Sequence, residues 1–191
     1  MILLSSHIDR VNQEFDLFYE KGIHKGLLDN FLGILLCYLT LYDDTNLIKF
    51  EKEGKIKLWH NQGEEWGILN NPPVLGVNDI ALVVDVADNP AYTGMDFSLE
   101  NIWGLSEAEI NKLKEMFAWE GFKALIKPFT GEEIDHDEAW IWKEKGIKTM
   151  SFIVPINATN RGWHRSDSTV SSEKIKVCRQ GLKRLINYLL K

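Results

Sequence analysis

The stretch Asp79-Ile-Ala-Leu-Val-Val-Asp-Val86 predicts the centre of the fold. Its apolar run from Ile80 to Val84 lies between polar residues. A half-exposed strand alternates apolar and polar side chains, whereas a strand that is covered on both faces is continuously apolar. The run therefore predicts a central strand.

Further elements alternate along the chain on either side of this strand. Apolar runs predict other strands at 2–6, 122–127 and 150–156. Helical spacing of apolar residues predicts helices at 28–42, from 106, at 138–145 and from 172. Charged and apolar residues alternate through 47–50 and 55–60, which predicts a hairpin with one solvent face. Strands alternating with helices indicate a layered α/β domain with a mainly parallel sheet.

Two local signals refine the predicted helices. Ser106 and Glu109 have the spacing of a capping box at a helix start. Cys37 and Cys178 lie in apolar helical contexts and form no C-x-x-C motif, so we expect two buried free thiols in a reducing compartment.

Composition narrows the class of protein. The chain has 191 residues, 45% hydrophobic and 26% charged, which predicts one soluble domain over 1–191. The net charge of −6 argues against nucleic acid and anionic membranes as partners. The first residues lack the pattern of a signal peptide, and the longest apolar run, 31–41, is too short to span a bilayer. A cytoplasmic location is the expectation.

Polar residues of a particular kind follow the predicted strands. In open α/β sheets, sites form beyond the carboxyl ends of the strands. The residues at these ends are His7 and Asp9, Glu64 and Glu65, Asp85, and His164. Taken one at a time, most of these residues have an ordinary structural explanation. Asp85 differs, because it follows an apolar strand and burial of an unpaired carboxylate there costs free energy.

Taken together, these residue types match a site for two zinc ions. Such a site needs imidazole and carboxylate ligands, a bridging carboxylate and a base for the bridging water. Two histidines, Asp29, Asp85 and the Glu64-Glu65 pair supply that set. Asp9, two residues after His7, is placed to orient its imidazole.

The order of the residues resembles the co-catalytic zinc exopeptidases of the bacterial leucyl aminopeptidase and glutamate carboxypeptidase type. The motifs that carry the resemblance are His7-Ile8-Asp9, Gly26-Leu-Leu-Asp29-Asn30-Phe-Leu-Gly33, Glu64-Glu65-Trp66-Gly67, Val83-Val84-Asp85, Asp135-His136 with Gly146-Ile147, and His164 to Thr169. They occur in the family's order and cover nearly the whole chain. The resemblance implies a minimal three-layer α/β/α domain with a mixed, mainly parallel sheet.

The resemblance also implies a role for each residue. Asp29 would bridge two divalent ions, most simply zinc, with cobalt or manganese as alternatives. One shell would be completed by His7 and Asp85, the other by Glu65 and His164. Glu64 would be the general base for a dimetal-bridged hydroxide, and Asp9 would orient His7.

The reaction that this implies is the cleavage of an N-terminal residue from a peptide or aminoacyl compound. Assembly into a homo-oligomer is a further expectation. Ile68-Leu69-Asn70 stands where the family has a second glycine and a small residue, which puts the following helix in doubt. Lys148 replaces the proline of the family's G-I-P. Two alternatives stay open. One is a single-zinc acyltransferase of the glutaminyl-cyclase type, and the other is a metal-binding but inactive descendant or binding module.

Overall fold

The computed structural model describes residues 1–8, 17–26, 28–63, 67–129, 137–157 and 168–191, without the side chains of residues 17 and 18. The strands are β1 Ile2–His7, β2 Leu17–Glu20, β3 Ile23–Gly26, β4 Ile56–Asn61, β5 Ile80–Ala87, β6 Phe97–Trp103, β7 Ala124–Pro128, β8 Lys148–Pro155 and β9 Ser168–Ser171. The helices are α1 Phe31–Tyr42, α2 Thr45–Lys52, α3 Glu107–Trp119, α4 Glu138–Glu144 and α5 Ser172–Leu189.

Six strands form the main sheet in the order β4-β1-β5-β8-β6-β7. Only the β6–β8 pair is antiparallel within this sheet, and the other four pairs are parallel. The central strand that the apolar run predicts is β5, which lies between β1 and β8. The fold class is therefore confirmed as α/β with a mixed, mainly parallel sheet.

Helices cover both faces of this sheet. On one face, alternate strand residues such as Leu4 and Leu82 pack with α1, α3 and α5 in the larger core cluster. On the other face, Leu3 and Val83 pack against Trp142 of α4 in a smaller cluster. In the described chain this second layer consists of one short helix and the extended segment that contains Leu69 and Leu75. The three layers are thus present in a minimal form.

Several local predictions are confirmed. Ser106 and Glu109 form the capping box of α3. Cys37 and Cys178 are buried free thiols. The apolar residues at helical spacing in α5 are buried at Ile175, Cys178, Leu182 and Leu185, whereas Leu189 is partly buried against the core. The helix that was in doubt after the Glu64-Glu65 motif is absent from residues 67–79.

The predicted hairpin at 47–50 and 55–60 is wrong. Residues 45–52 form α2, and β4 lies parallel to β1 rather than antiparallel to a preceding strand. Asp44 accepts hydrogen bonds from the amides of Asn46 and Leu47, so it is the N-cap of α2. Leu47 is fully buried at the first turn of this helix. Cap and burial together favour a helix over the strand that the charge alternation indicated.

The sequence did not predict β6 or the small antiparallel sheet β2-β3-β9. In β6 the register shifts between Leu99 and Ile102, and Asn101 has a φ of 50°. This bulge interrupts the apolar pattern with Glu100 and Asn101. No single described helix is long and apolar enough to cross a membrane, whereas α1 and α2 pass that test only as a pair bent by 95°.

Candidate metal centre

The end of β1 and the end of β5 place His7 beside Asp85. The two strands are parallel neighbours, and Ser5 pairs with Val83, so His7 and Asp85 are level two residues further along. His7 is the last residue of β1 and Asp85 is the third from last of β5. Both strands therefore present these side chains at the carboxyl edge of the sheet, where the sequence predicted the site.

The turn before α1 brings Asp29 to the same point. The side chain of Asn30 donates a hydrogen bond from Nδ2 to the carbonyl of Val84 (2.8 Å). Its Oδ1 accepts one from the amide of Gly33 (2.9 Å) as the N-cap of α1. Asn30 thus fixes the start of the helix against β5, one residue before Asp85. The adjoining Asp29, joined to Asn30 by a cis peptide bond, is held next to that strand end.

His7, Asp29 and Asp85 form a compact cluster. His7 Nε2 lies 3.0 Å from Asp29 Oδ1 and 3.4 Å from Asp85 Oδ1. The side chains are 2%, 17% and 15% exposed. One ligand atom from each residue lies within 4.8 Å of the other two. Two carboxylates therefore converge on one imidazole nitrogen in a place with little access to water.

Two further carboxylates lie at the start of α4, near the same cluster. Glu138 is fully buried and accepts a hydrogen bond from Ser5 Oγ (2.6 Å), two residues before His7. Burial raises its pKa to about 7, and the charge of Asp85 adds to this rise, against the lowering effects of Ser5 and His7.

The second of these carboxylates, Asp137, is the N-cap of α4. It accepts hydrogen bonds from Ser151 Oγ and from the amide of Ala139, and it is hydrogen-bonded to Asn101 at the bulge of β6. Burial raises its pKa to about 6, with a further contribution from Asp85 that partly offsets the hydrogen bonds. Asn101, which lies at the bulge that interrupts the apolar pattern of β6, thus also supports the carboxylate of Asp137.

The donor set fits a divalent cation. It offers one imidazole nitrogen and two carboxylate oxygens, with no thiolate, which suits zinc, cobalt or manganese. Asp29 and Asp85 lie against His7, and the buried Asp137 and Glu138 lie nearby with pKa values that burial raises because it opposes their negative charge. A bound cation would reduce the electrostatic cost of that arrangement.

The other predicted site residues, Asp9, Glu64, Glu65 and His164, lie outside the described residues, as do Asp135 and His136. The described residues on both sides of the Glu64-Glu65 motif are anchored close to His7. Asn61, the partner of His7 in the β1–β4 register, donates from Nδ2 to the carbonyl of Ile68 (2.8 Å). Its Oδ1 accepts from the amide of Asn70 (2.9 Å). The roles of the four undescribed residues remain predictions.

Three residues that support the candidate site had no clear signal in the sequence. Asn30 had the pattern of an ordinary N-cap, yet its amide also reaches across to β5. Asp137 and Glu138 lie at the start of a helix, where acidic residues are common and usually solvated. Glu138 and Ala139 are fully buried, and no pattern in the sequence indicated this.

The fold matches that of solved aminopeptidases, although the sequence matches no protein-family model and no curated protein. The TET1 peptidase of Pyrococcus horikoshii, which can assemble into a tetrahedron or a large octahedral shell, superposes with a TM-score of 0.60 at 13% identity, over 89% of this chain and 52% of its own. An aminopeptidase from the archaeon Desulfurococcus kamchatkensis gives 0.57 at 14% identity, over 91% and 51%.

Aminopeptidase I of Clostridium acetobutylicum gives a TM-score of 0.52 at 14% identity, over 88% of this chain and 46% of its own. Identities this low establish a common fold and nothing finer. This chain therefore has the α/β fold of these aminopeptidases and spans about half of their length.

Proposed function

We propose that this chain is a metal-dependent aminopeptidase, which removes the N-terminal residue of a peptide or an aminoacyl compound. The observation that carries the proposal is the convergence of His7, Asp29 and Asp85 at the carboxyl edge of a sheet with an aminopeptidase fold. Three ligands from three separate segments meet there with donor atoms suited to zinc.

Each proposed ligand has its own role. His7 and Asp85 would hold one divalent ion, Glu65 and His164 would hold a second ion, and Asp29 would be a ligand shared by both. When bound, the two ions would polarise the scissile carbonyl and lower the pKa of the attacking water. Asp9 orients the imidazole of His7. Zinc is our first choice, and cobalt or manganese suit the same donors.

The proton transfers fall to Glu64. Glu65 is assigned to a metal, which leaves the adjacent carboxylate free. A free carboxylate at Glu64 takes the proton of the attacking water and delivers it to the leaving amine, a contribution of typically about 10² to 10⁴-fold in rate. Asn30 supports this chemistry indirectly, because its two hydrogen bonds hold Asp29 against β5.

Metal analysis combined with an aminopeptidase assay tests the proposal. The purified protein is stripped with a chelator, reconstituted with zinc, cobalt or manganese, and titrated by calorimetry. Turnover of a panel of aminoacyl-anilides is then measured. We expect two ions per chain and hydrolysis that disappears with the chelator. His7→Ala and Asp85→Ala are expected to weaken mainly one ion, whereas Asp43→Ala, at the opposite end of α1, serves as the control.

Other outcomes select other functions. One ion per chain with cyclisation of N-terminal glutamine would indicate the single-zinc acyltransferase. Two ions without turnover on any peptide or aminoacyl compound would indicate an inactive metal-binding descendant. No metal binding after reconstitution would refute the proposal altogether. Sedimentation of the same samples tests self-association, which we propose because the similar TET1 peptidase forms shells.

A further inference from the structure

A cavity of about 520 Å³ opens at the carboxyl edge of the sheet, beyond Asp85. It is lined by the segment after β5, by the end of β8 and by β9. The amide of Ile156 donates to the carbonyl of Ala87 (3.1 Å), so the two strand ends stay joined at its floor. Small-molecule sites typically enclose about 300 to 1,000 Å³, so this cavity has room for an amino-acid side chain.

The cavity carries one carboxylate without a partner. Asp88 lines it and is partly buried, and within the described chain no hydrogen bond or ion pair reaches this side chain. Lys174 also lines the cavity, but its ammonium group donates to the carbonyl oxygens of Met95 and Asp96 and lies 4.0 Å from Asp96 Oδ1. Among the described residues that line the cavity, the charge left uncompensated is therefore negative.

Apolar side chains form part of the wall beside this charge. Tyr92, Ile156 and Val170 line the cavity and are at most 9% exposed. A ligand with an apolar stem and a cationic end matches this combination of wall and charge. Lysine has that form, with a four-carbon stem and a compact ammonium, and arginine has a similar one.

We propose that the cavity receives the side chain of the substrate's N-terminal residue and that Asp88 selects lysine or arginine there. This proposal rests on the proposed aminopeptidase function. Asp88 is three residues beyond the metal-ligand position Asp85, or about 10 Å at the rise of an extended chain. A side-chain ammonium reaches much further from the scissile bond than the α-amino group, so the side chain is the better match to this separation.

Matched substrates isolate the charge. Lysyl-, norleucyl- and glutamyl-anilides are compared on the zinc-reconstituted protein, because norleucine keeps the four-carbon stem and lacks the ammonium. We expect kcat/KM for lysyl to exceed that for norleucyl about 10- to 100-fold, the range of one charged hydrogen bond. Asp88→Asn should remove this preference, because kcat/KM for lysyl should fall far more than kcat/KM for norleucyl. Asp43→Asn removes the same charge at a remote exposed position and should leave the ratio intact.

A binding measurement separates the two proposals. Calorimetry with L-lysinamide and L-norleucinamide reports on the cavity without turnover. If the wild type hydrolyses the panel but Asp88→Asn does not change the lysyl to norleucyl ratio, the cavity proposal is overturned and the aminopeptidase function stands. If nothing is hydrolysed, tighter lysinamide binding that depends on Asp88 supports the cavity proposal alone. Equal binding of both amides by both proteins overturns it.

Discussion

Replacement of Gly33 by alanine is expected to destabilise the protein, although alanine is the better helix former. Gly33 is buried in the first turn of α1. A Cβ added there would lie 2.1 Å from Asn30 Oδ1 and 2.6 Å from Asn30 Cγ, so the Asn30 side chain must move. That side chain makes the cap of α1 and the bond to Val84.

The size of the effect follows from these contacts. Loss of an N-cap costs about 1 kcal/mol, and loss of a buried hydrogen bond costs a further 1 to 2 kcal/mol or so. The higher helix propensity of alanine relative to glycine offsets about 1 kcal/mol of this loss in stability. We therefore expect Gly33→Ala to lower the free energy of unfolding by roughly 1 to 2 kcal/mol. Because Asp29 adjoins Asn30, zinc affinity should fall about tenfold or more.

Urea unfolding of metal-free protein, in a double-mutant cycle with Asn30→Ala, tests the cause. Without the Asn30 side chain the obstruction is gone, so Gly33→Ala in that background should stabilise by up to about 1 kcal/mol. Calorimetric zinc titration of the single variants provides the second readout. Equal destabilisation by Gly33→Ala in both backgrounds would refute the reasoning, since the Asn30 contact would then not be its origin.

The remaining predictions concern carboxylates. Asp29→Asn should lose both ions, measured by metal analysis; near-native binding of two ions would exclude it as the bridge. Glu64→Gln should keep both ions yet lose roughly three decades of kcat with little change in KM. Glu65→Gln should lose metal. Loss of metal by Glu64→Gln with both ions kept by Glu65→Gln would exchange their roles. Glu138 has a pKa raised by burial from 4.5 to about 7, so its contribution to the stability of the metal-free protein falls as pH rises through that interval. The free energy of unfolding of Glu138→Gln, measured in urea, should therefore rise by about 3 kcal/mol relative to that of wild type between pH 4 and pH 8. Glu107→Gln, at the matching exposed position of α3, is the control and should show no such trend. A difference between Glu138→Gln and wild type that does not depend on pH would contradict the assignment.

The sheet and its site edge could be predicted because their signals are local. The apolar run 80–84 is too long for a half-exposed strand, and β5 lies inside the sheet as that run indicates. Polar residues at strand ends then predict an edge where parallel strands converge, and His7 and Asp85 meet there. Both inferences use properties of a few consecutive residues, so they can be made without knowledge of the tertiary structure.

The errors arise where tertiary contacts outweigh local patterns. Residues 45–52 carry apolar side chains at spacings that suit either a strand or a short helix, and the cap from Asp44 with burial of Leu47 decides for the helix. The bulge at Asn101 breaks the period of β6. Burial of Glu138 depends on Ser5, 133 positions away, so no local pattern contains it.

Contacts between distant parts of the chain give the candidate site its electrostatic character. Asp29 and Asp85 lie at 3.0 and 3.4 Å from one imidazole nitrogen. Glu138 and Asp137 add their charge from the start of α4, and burial opposes ionisation of both. Carboxylates placed this close together destabilise the folded state, because repulsion between like charges and loss of solvation both oppose their ionisation. The fold holds them in place with Asn30, Ser5 and Ser151, which are hydrogen-bond donors and carry no positive charge. A bound cation would balance these acidic groups, and the cost of the metal-free arrangement would then become affinity for that cation.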